Sequence, residues 1–238
     1  MASPRTSGQQ RASHLSGERI VDRLKEAAAS AAAEMVEDGM RVGLGSGSTV
    51  AHLLPALAAR GRKGLRCVAT SPTTARAARA LGLTIEELDE VGELDLAIDG
   101  ADQVAADGWL VKGGGGAHTR EKIVAAAARR FVVIVSAEKL VRDLSPPVPL
   151  ELMRFGVQST LRTLAPARLR DAPESPDGGL IGDYDGPIGD PRELSARLSE
   201  TPGLVGHGLF APEMISVILI AGEQGVERRA GGSETAGL

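Results

Sequence analysis

Aromatic residues are almost missing from this 238-residue chain, which holds Trp109, Tyr184 and three phenylalanines. Its core must therefore be assembled from Ala, Val, Leu and Ile, a composition that suits parallel strands covered by alanine-rich helices. Rings on which nucleic-acid bases could stack are scarce, and a formal net charge of −4 with dispersed arginines leaves no basic stripe. Nucleic acid is not an expected partner. Cys67 is the only cysteine, which excludes a disulfide within the chain and any Cys-rich metal site. The four histidines, His14, His52, His118 and His207, are scattered without ligand spacing, so no metal is expected. No charged-then-apolar leader opens the sequence, and no apolar run approaches the roughly 20 residues that span a bilayer. The expectation is a cytoplasmic protein without a membrane partner, long enough to fold without a disulfide or metal staple.

What is present is a regular alternation. Residues 1–17 and 230–238 are polar and small without periodicity and read as disordered tails. Between them, residues 18–37 space Ile20, Leu24, Ala27, Ala28 and Ala31 at helical intervals, and Asp38-Gly39 ends the segment. Strands are predicted at 42–45, 65–69, 83–86, 94–98 and 131–135, with helices at 49–60, 73–81 and 120–130. Strands alternating with helices of this length imply right-handed crossovers and a parallel sheet, hence an α/β fold. From Pro146-Pro147 onward prolines recur at short intervals. Residues 146–210 read as a small α+β lobe with strands at 150–155, 180–181 and 204–210 and helices at 157–168 and 191–198. The long apolar texture returns at 214–221. The lobe is therefore predicted to be inserted into a catalytic domain formed by residues 18–145 and 211–229.

Three segments carry candidate chemistry. GLGSGST at 43–49 joins a strand to a helix, where backbone N–H groups and the helix dipole make an anion cradle. It is neither a phosphate-binding loop of the Walker type, since no lysine precedes the Ser/Thr, nor a dinucleotide fingerprint, since Ser48 stands where the third glycine belongs. DGAD at 99–102 follows an apolar strand. VKGGGGAHTREK at 111–122 places Lys112, four consecutive glycines and Glu121 at another strand-to-helix junction. Each segment alone has a structural reading: a tight turn, a polar turn capping a strand, a flexible loop, a first-turn glutamate facing the helix dipole. All three at the carboxyl ends of strands in an α/β sheet, where such folds bind ligands, point to one site. Lys25 and Lys139 read from spacing alone as solvated, and His118 as a loop surface residue.

GLGSGST, DGAD and KGGGG followed by TREK, in this order and at these separations, resemble ribose-5-phosphate isomerase of the A type. The likeness extends over about half the chain, with weaker echoes at 147–152 and in PGLVGHGLF at 202–210. The resemblance implies a Rossmann-like, mostly parallel sheet with helices on both faces and a small inserted α+β domain. It implies D-ribose 5-phosphate and D-ribulose 5-phosphate as substrates, no cofactor, and a homodimer or homotetramer. It also implies that Glu121 is the base moving a proton between C1 and C2, that Asp99, Asp102 and Lys112 handle ring opening and the hydroxyl oxygens, and that Lys25, Ser46, Gly47, Ser48, Thr49 and Lys139 contact the substrate, mainly its phosphate. Gly100, Ala101, Gly113, Gly114 and Gly115 complete the implied lining. Two departures stand out: Gln103 follows DGAD where the family carries Glu, and residues 174–179 read ESPDGG in place of a TDNGN-like segment, in a chain without any asparagine. The competing readings are an isomerase of another sugar phosphate, a non-catalytic sugar-phosphate sensor, and a nucleotide-binding methyltransferase, which would want an acid after the first glycine loop that is missing here.

Overall fold

The computed structural model describes residues 7–235. Its strands, in chain order, are β1 (Arg41–Leu44), β2 (Arg66–Ala69), β3 (Leu96–Asp99), β4 (Gln103–Val104), β5 (Leu110–Val111), β6 (Phe131–Ser136), β7 (Val148–Leu152), β8 (Ala167–Leu169), β9 (Leu180–Tyr184), β10 (Leu204–His207), β11 (Leu209–Phe210), β12 (Val217–Gly222) and β13 (Gly225–Ala230). The helices are α1 (Ser7–Ala33), α2 (Gly47–Ala59), α3 (Pro72–Ala80), α4 (Leu88–Val91), α5 (His118–Ala126), α6 (Val157–Thr163), α7 (Pro191–Ser199) and α8 (Gly232–Thr235).

The main sheet has the order β13-β12-β6-β3-β1-β2, parallel throughout except for the edge strand β13. Its central strands are buried on both faces, and their side chains alternate between two cores as the two-residue period of a strand requires. On β6, Val132 and Ile134 join the core under α1 and α2, while Phe131, Val133 and Val135 join the core under α5. Ala28, Ala29, Ala32 and Ala33 of α1 are at most 1% exposed, small enough to let that helix lie close against the sheet and α2. Ile20, predicted on the same stripe, is instead exposed.

Several expectations need correction. The tail predicted through Gly17 is helical from Ser7, because extending a helix already anchored by its buried alanines carries no nucleation cost. At the other end Ala230 belongs to β13 and residues 232–235 to α8; residues 1–6 and 236–238, also predicted as tails, lie outside the described residues. The strand predicted at 83–86 is a single bridge, Cys67 to Ile85. The helix predicted over 157–168 stops at Thr163, two residues before the position preceding Pro166 that disfavours helical backbone, and the chain then pairs as β8 with β9. The strand predicted over 204–210 is two strands in two sheets: β10 pairs with β7, β11 with β5. Gly208 makes the crossing, since a Cβ there would sit 2.1 Å from the Lys112 carbonyl oxygen.

A four-stranded antiparallel sheet, β10-β7-β9-β8, packs with α6 and α7 around a third core, and a three-stranded sheet, β11-β5-β4, lies beside it. From β1 the chain runs first to β2 on one side and then to β3 on the other. That reversal opens a crevice at the carboxyl ends of β1 and β3, the position where α/β sheets take ligands.

Candidate active site

Residues from three loops meet at this crevice. Gly45 follows β1 and passes so close to Asp99 that a Cβ would lie 1.9 Å from its Oδ1. The contact lets the Ser46 N–H, at 3.1 Å, and the Gly100 N–H, at 2.7 Å, both donate to Asp99 Oδ1. From the other side comes Lys112, just past β5, whose own N–H is held at 2.8 Å by the Gly208 carbonyl. Its ammonium donates to the Gly100 carbonyl at 2.5 Å and lies 2.9 Å from Asp99 Oδ2 and 3.2 Å from Glu121 Oε2. Glu121 sits in the first turn of α5, where the helix dipole favours a carboxylate. Its Oε1 accepts from Ser46 Oγ at 2.6 Å.

Asp99, Lys112 and Glu121 are each 5% exposed or less. Burial alone would lower the Lys112 pKa, but the neighbouring charges of Asp99 and Glu121 outweigh it, so the ammonium stays protonated and its pKa lies above the ordinary lysine value. Asp99 is pushed up to about 7, by burial and by the Glu121 charge, against the downward pull of Lys112. The cluster thus holds a fixed cation between two carboxylates in a medium that strengthens their interaction.

Above it lies a cavity of about 100 Å³. Glu121, Lys112, Asp102 and Lys139 supply its charged lining; Ser46, Gly47, Ser48 and Thr49 line the side of the first glycine loop, and Gly100, Ala101, Gly113, Gly114 and Gly115 the remainder. Asp102 is fixed there by the Gly114 N–H, at 2.8 Å on Oδ2. Two predicted residues are elsewhere. Asp99 is not part of the cavity lining and touches it through Lys112. Lys25 is 3.7 Å from Asp22 on α1 and borders a separate hollow with Gly17, Glu18 and Val21. Among the described residues, no group of three or more His, Cys, Asp or Glu side chains is arranged to hold a metal ion.

The two sequence departures have local explanations. Gln103 is not part of the cavity lining and pairs with Ser145, accepting from its N–H at 2.9 Å and donating to its carbonyl at 2.8 Å, which a glutamate could not do with both groups. Ser175 closes the 174–179 turn by accepting from the Asp177 and Gly179 N–H groups and donating to the buried Glu151. Asp177 then takes both arms of Arg120, the neighbour of Glu121, at 2.7 and 2.6 Å.

His118, expected on a loop surface, is fully buried in the first turn of α5, and burial lowers its pKa to about 4. Its ring lies against Gly113, where a Cβ would come within 2.7 Å of Nδ1. Arg170 was not legible as a site residue either: it reaches the Gly113 and Gly114 carbonyls from 57 and 56 positions away, and no local pattern announces such a contact.

Known proteins resemble this chain in both sequence and fold. The family profile "Ribose 5-phosphate isomerase A (phosphoriboisomerase A)" matches residues 66–225. The ribose-5-phosphate isomerase A of Caulobacter vibrioides is 45% identical over 222 residues, covering 87% of this chain and 97% of the relative, and that of Gloeobacter violaceus is 47% identical over 221 residues, covering 87% and 96%. The crystal structure of the Neisseria gonorrhoeae enzyme superposes with a TM-score of 0.84 at 32% identity, covering 88% of this chain and 97% of that one. A D-ribose-5-phosphate isomerase solved in complex with phospho-erythronic acid gives a TM-score of 0.83 at 33% identity, covering 88% and 99%. The chain therefore belongs to the ribose 5-phosphate isomerase A family and is a sugar-phosphate isomerase.

Proposed function

We propose that the protein interconverts D-ribose 5-phosphate and D-ribulose 5-phosphate through an enediol, with Glu121 as the base. The observation that carries this reading is the placement of Glu121: a nearly buried carboxylate at a polar cavity, oriented by Ser46 Oγ on one oxygen and Lys112 on the other. Aldose–ketose isomerisation asks for one base that removes the C2 proton of the open-chain aldose and returns it to C1, while a proton moves from O2 to O1. Glu121 takes and returns the carbon-bound proton. Lys112, held cationic by Asp99, faces the oxygen on which charge develops, and the glycine-loop amides add donors there. Asp102, the exposed carboxylate of the lining, exchanges protons with the sugar oxygens during ring opening. The N-terminus of α2 at Gly47, Ser48 and Thr49, together with Lys139, supplies the anion site for the phosphate.

Run in deuterated water, the reaction tests the chemistry. Deuterium accumulating at C1 of ribulose 5-phosphate over many reversible turnovers supports proton transfer through an enediol; complete retention of protium contradicts it and points to hydride shift.

We also propose that residues 146–210 form a lobe inserted into the catalytic domain of residues 18–145 and 211–229. The four-stranded sheet falls within that span, although its core also takes Trp109 and Val111 from before it. The working form we propose is a cytoplasmic homo-oligomer. Among the described residues no helix is long and apolar enough to cross a membrane, and the lobe exposes Met153 and Phe155, the latter 89% exposed. Sedimentation at micromolar concentration tests the assembly, and a monomer there contradicts it.

A further inference from the structure

Arg170 leaves the end of β8 and spans from the four-stranded sheet to the glycine loop. On one side its Nε and Nη2 engage Asp183 of β9 as a fork, with Nε 3.2 Å from Oδ2. On the other its Nη1 donates to the carbonyl of Gly114 at 2.9 Å and more loosely to that of Gly113 at 3.3 Å. Asp183 is 3% exposed, so the anchor of this bridge is a buried carboxylate.

These two carbonyls belong to the peptide units whose nitrogens are Gly114 and Gly115. In a trans peptide the C=O and N–H point in opposite directions. Drawing both oxygens toward Arg170 therefore turns both N–H groups the other way. The Gly114 N–H indeed reaches Asp102 Oδ2 at 2.8 Å. The Gly115 N–H, opposed to the Gly114 carbonyl, points away from Arg170, and Gly115 lines the cavity while Arg170 does not. A positive charge on the oxygen end also polarises each unit and makes its N–H a stronger donor. A turn closed by the Gly116 N–H on the Gly113 carbonyl, at 3.0 Å, fixes part of this geometry; the rest falls to Arg170, since glycines have more backbone freedom to lose than any other residue.

We propose that Arg170 is a positioning residue of the isomerase: by clamping the Gly113 and Gly114 carbonyls it aims the Gly114 N–H at Asp102 and the Gly115 N–H at the oxygen anion of the enediolate. The inference rests on the proposed reaction at this cavity, and it gives the small lobe a share in catalysis.

Arg168 provides the control. It lies 3.2 Å from the same Asp183 and 2.7 Å from Asp185, and among the described residues its side chain makes no hydrogen bond to the glycine loop. If Arg170 only neutralises Asp183, Arg168→Gln and Arg170→Gln have similar consequences. If it orients the loop, Arg170→Gln lowers kcat by about 10-fold to 100-fold, less than the roughly 10²-fold to 10³-fold typical of removing an oxyanion donor outright because the N–H is misaimed but not lost, with KM changed by less than about threefold. Arg168→Gln then stays within about twofold of wild type in both. Inhibition by phospho-erythronic acid, whose planar carboxylate places two oxygens as an enediolate does, weakens in parallel with kcat in Arg170→Gln and is unchanged in Arg168→Gln. Arg170→Lys keeps a charge beside Asp183 but loses the planar fork; it is expected to fold and still show the kcat loss, which covers the case of an unfolded glutamine variant. Wild-type kcat and inhibition in either Arg170 variant, or equal losses at Arg168 and Arg170, overturn the inference while leaving the proposed reaction standing. A folded wild type without turnover of ribose 5-phosphate overturns the reaction itself, and the inference with it.

Discussion

Replacing Lys112 with methionine is the most searching perturbation of the buried cluster. The side chain is similar in volume, so packing changes little, but the ammonium between Asp99 and Glu121 disappears. Its contacts at 2.9 and 3.2 Å are the only ion pairs those carboxylates make among the described residues. Removing one member of a buried ionic group leaves charge without compensation, at a typical cost of about 3–5 kcal/mol. For a chain of this length each kcal/mol moves the melting temperature by about 2–4 °C, giving a fall of about 6–20 °C. The pH dependence carries a further signature. Lys112 pulls the Asp99 pKa down against burial and the Glu121 charge; without it that pKa rises further. A carboxyl whose folded pKa exceeds its unfolded value binds more protons when folded, so stability falls as pH rises through that interval. Lys112→Met should therefore lose stability more steeply than wild type between about pH 5 and 8. Adding Asp99→Asn should restore part of the loss, because an amide is neutral without taking up a proton. Thermal unfolding of the three proteins across that range decides the matter. A Lys112→Met protein melting within about 2 °C of wild type at every pH refutes the reasoning.

Ser46→Ala removes the hydrogen bond on Glu121 Oε1 and leaves the carboxylate free to turn; kcat is expected to fall by about 10-fold, the effect of one bond to a charged group, and steady-state kinetics with unchanged kcat contradicts that role. His118 is held at about 4 by burial, below its unfolded value near 6.5, so the folded protein loses stability as pH falls from about 6.5 toward 4, by up to about 3 kcal/mol from this residue. His118→Leu should flatten the melting temperature over that window, and an unaltered slope contradicts the assignment.

The parts of the molecule legible in the sequence are those with local periodicity or a glycine signature. The parallel strands announce themselves as apolar runs such as 131–135, and the loops at 43–49, 99–102 and 111–122 carry every residue that lines the cavity except Lys139. What escaped is non-local. The three-stranded sheet is made of two-residue strands, too short to show any period, and it exists because Gly208 lets one strand cross between sheets. His118 reads as polar loop, yet its ring fills the space that Gly113 leaves open. Arg170 is one arginine among many until β8 pairs with β9 and carries it to the glycine loop. Lys25, carried over by resemblance, has its side chain beside Asp22 and outside the cavity lining, a placement that spacing alone does not give.

The central claim is that Glu121 carries the proton, with its positioning supplied by protein groups. It is tested most directly by following conversion of ribose 5-phosphate to ribulose 5-phosphate by wild type and Glu121→Gln, both with excess EDTA. The account predicts wild-type turnover that survives the chelator and a kcat about 10²-fold to 10⁴-fold lower in the variant, with KM close to wild type. Equal kcat in the two proteins would contradict it.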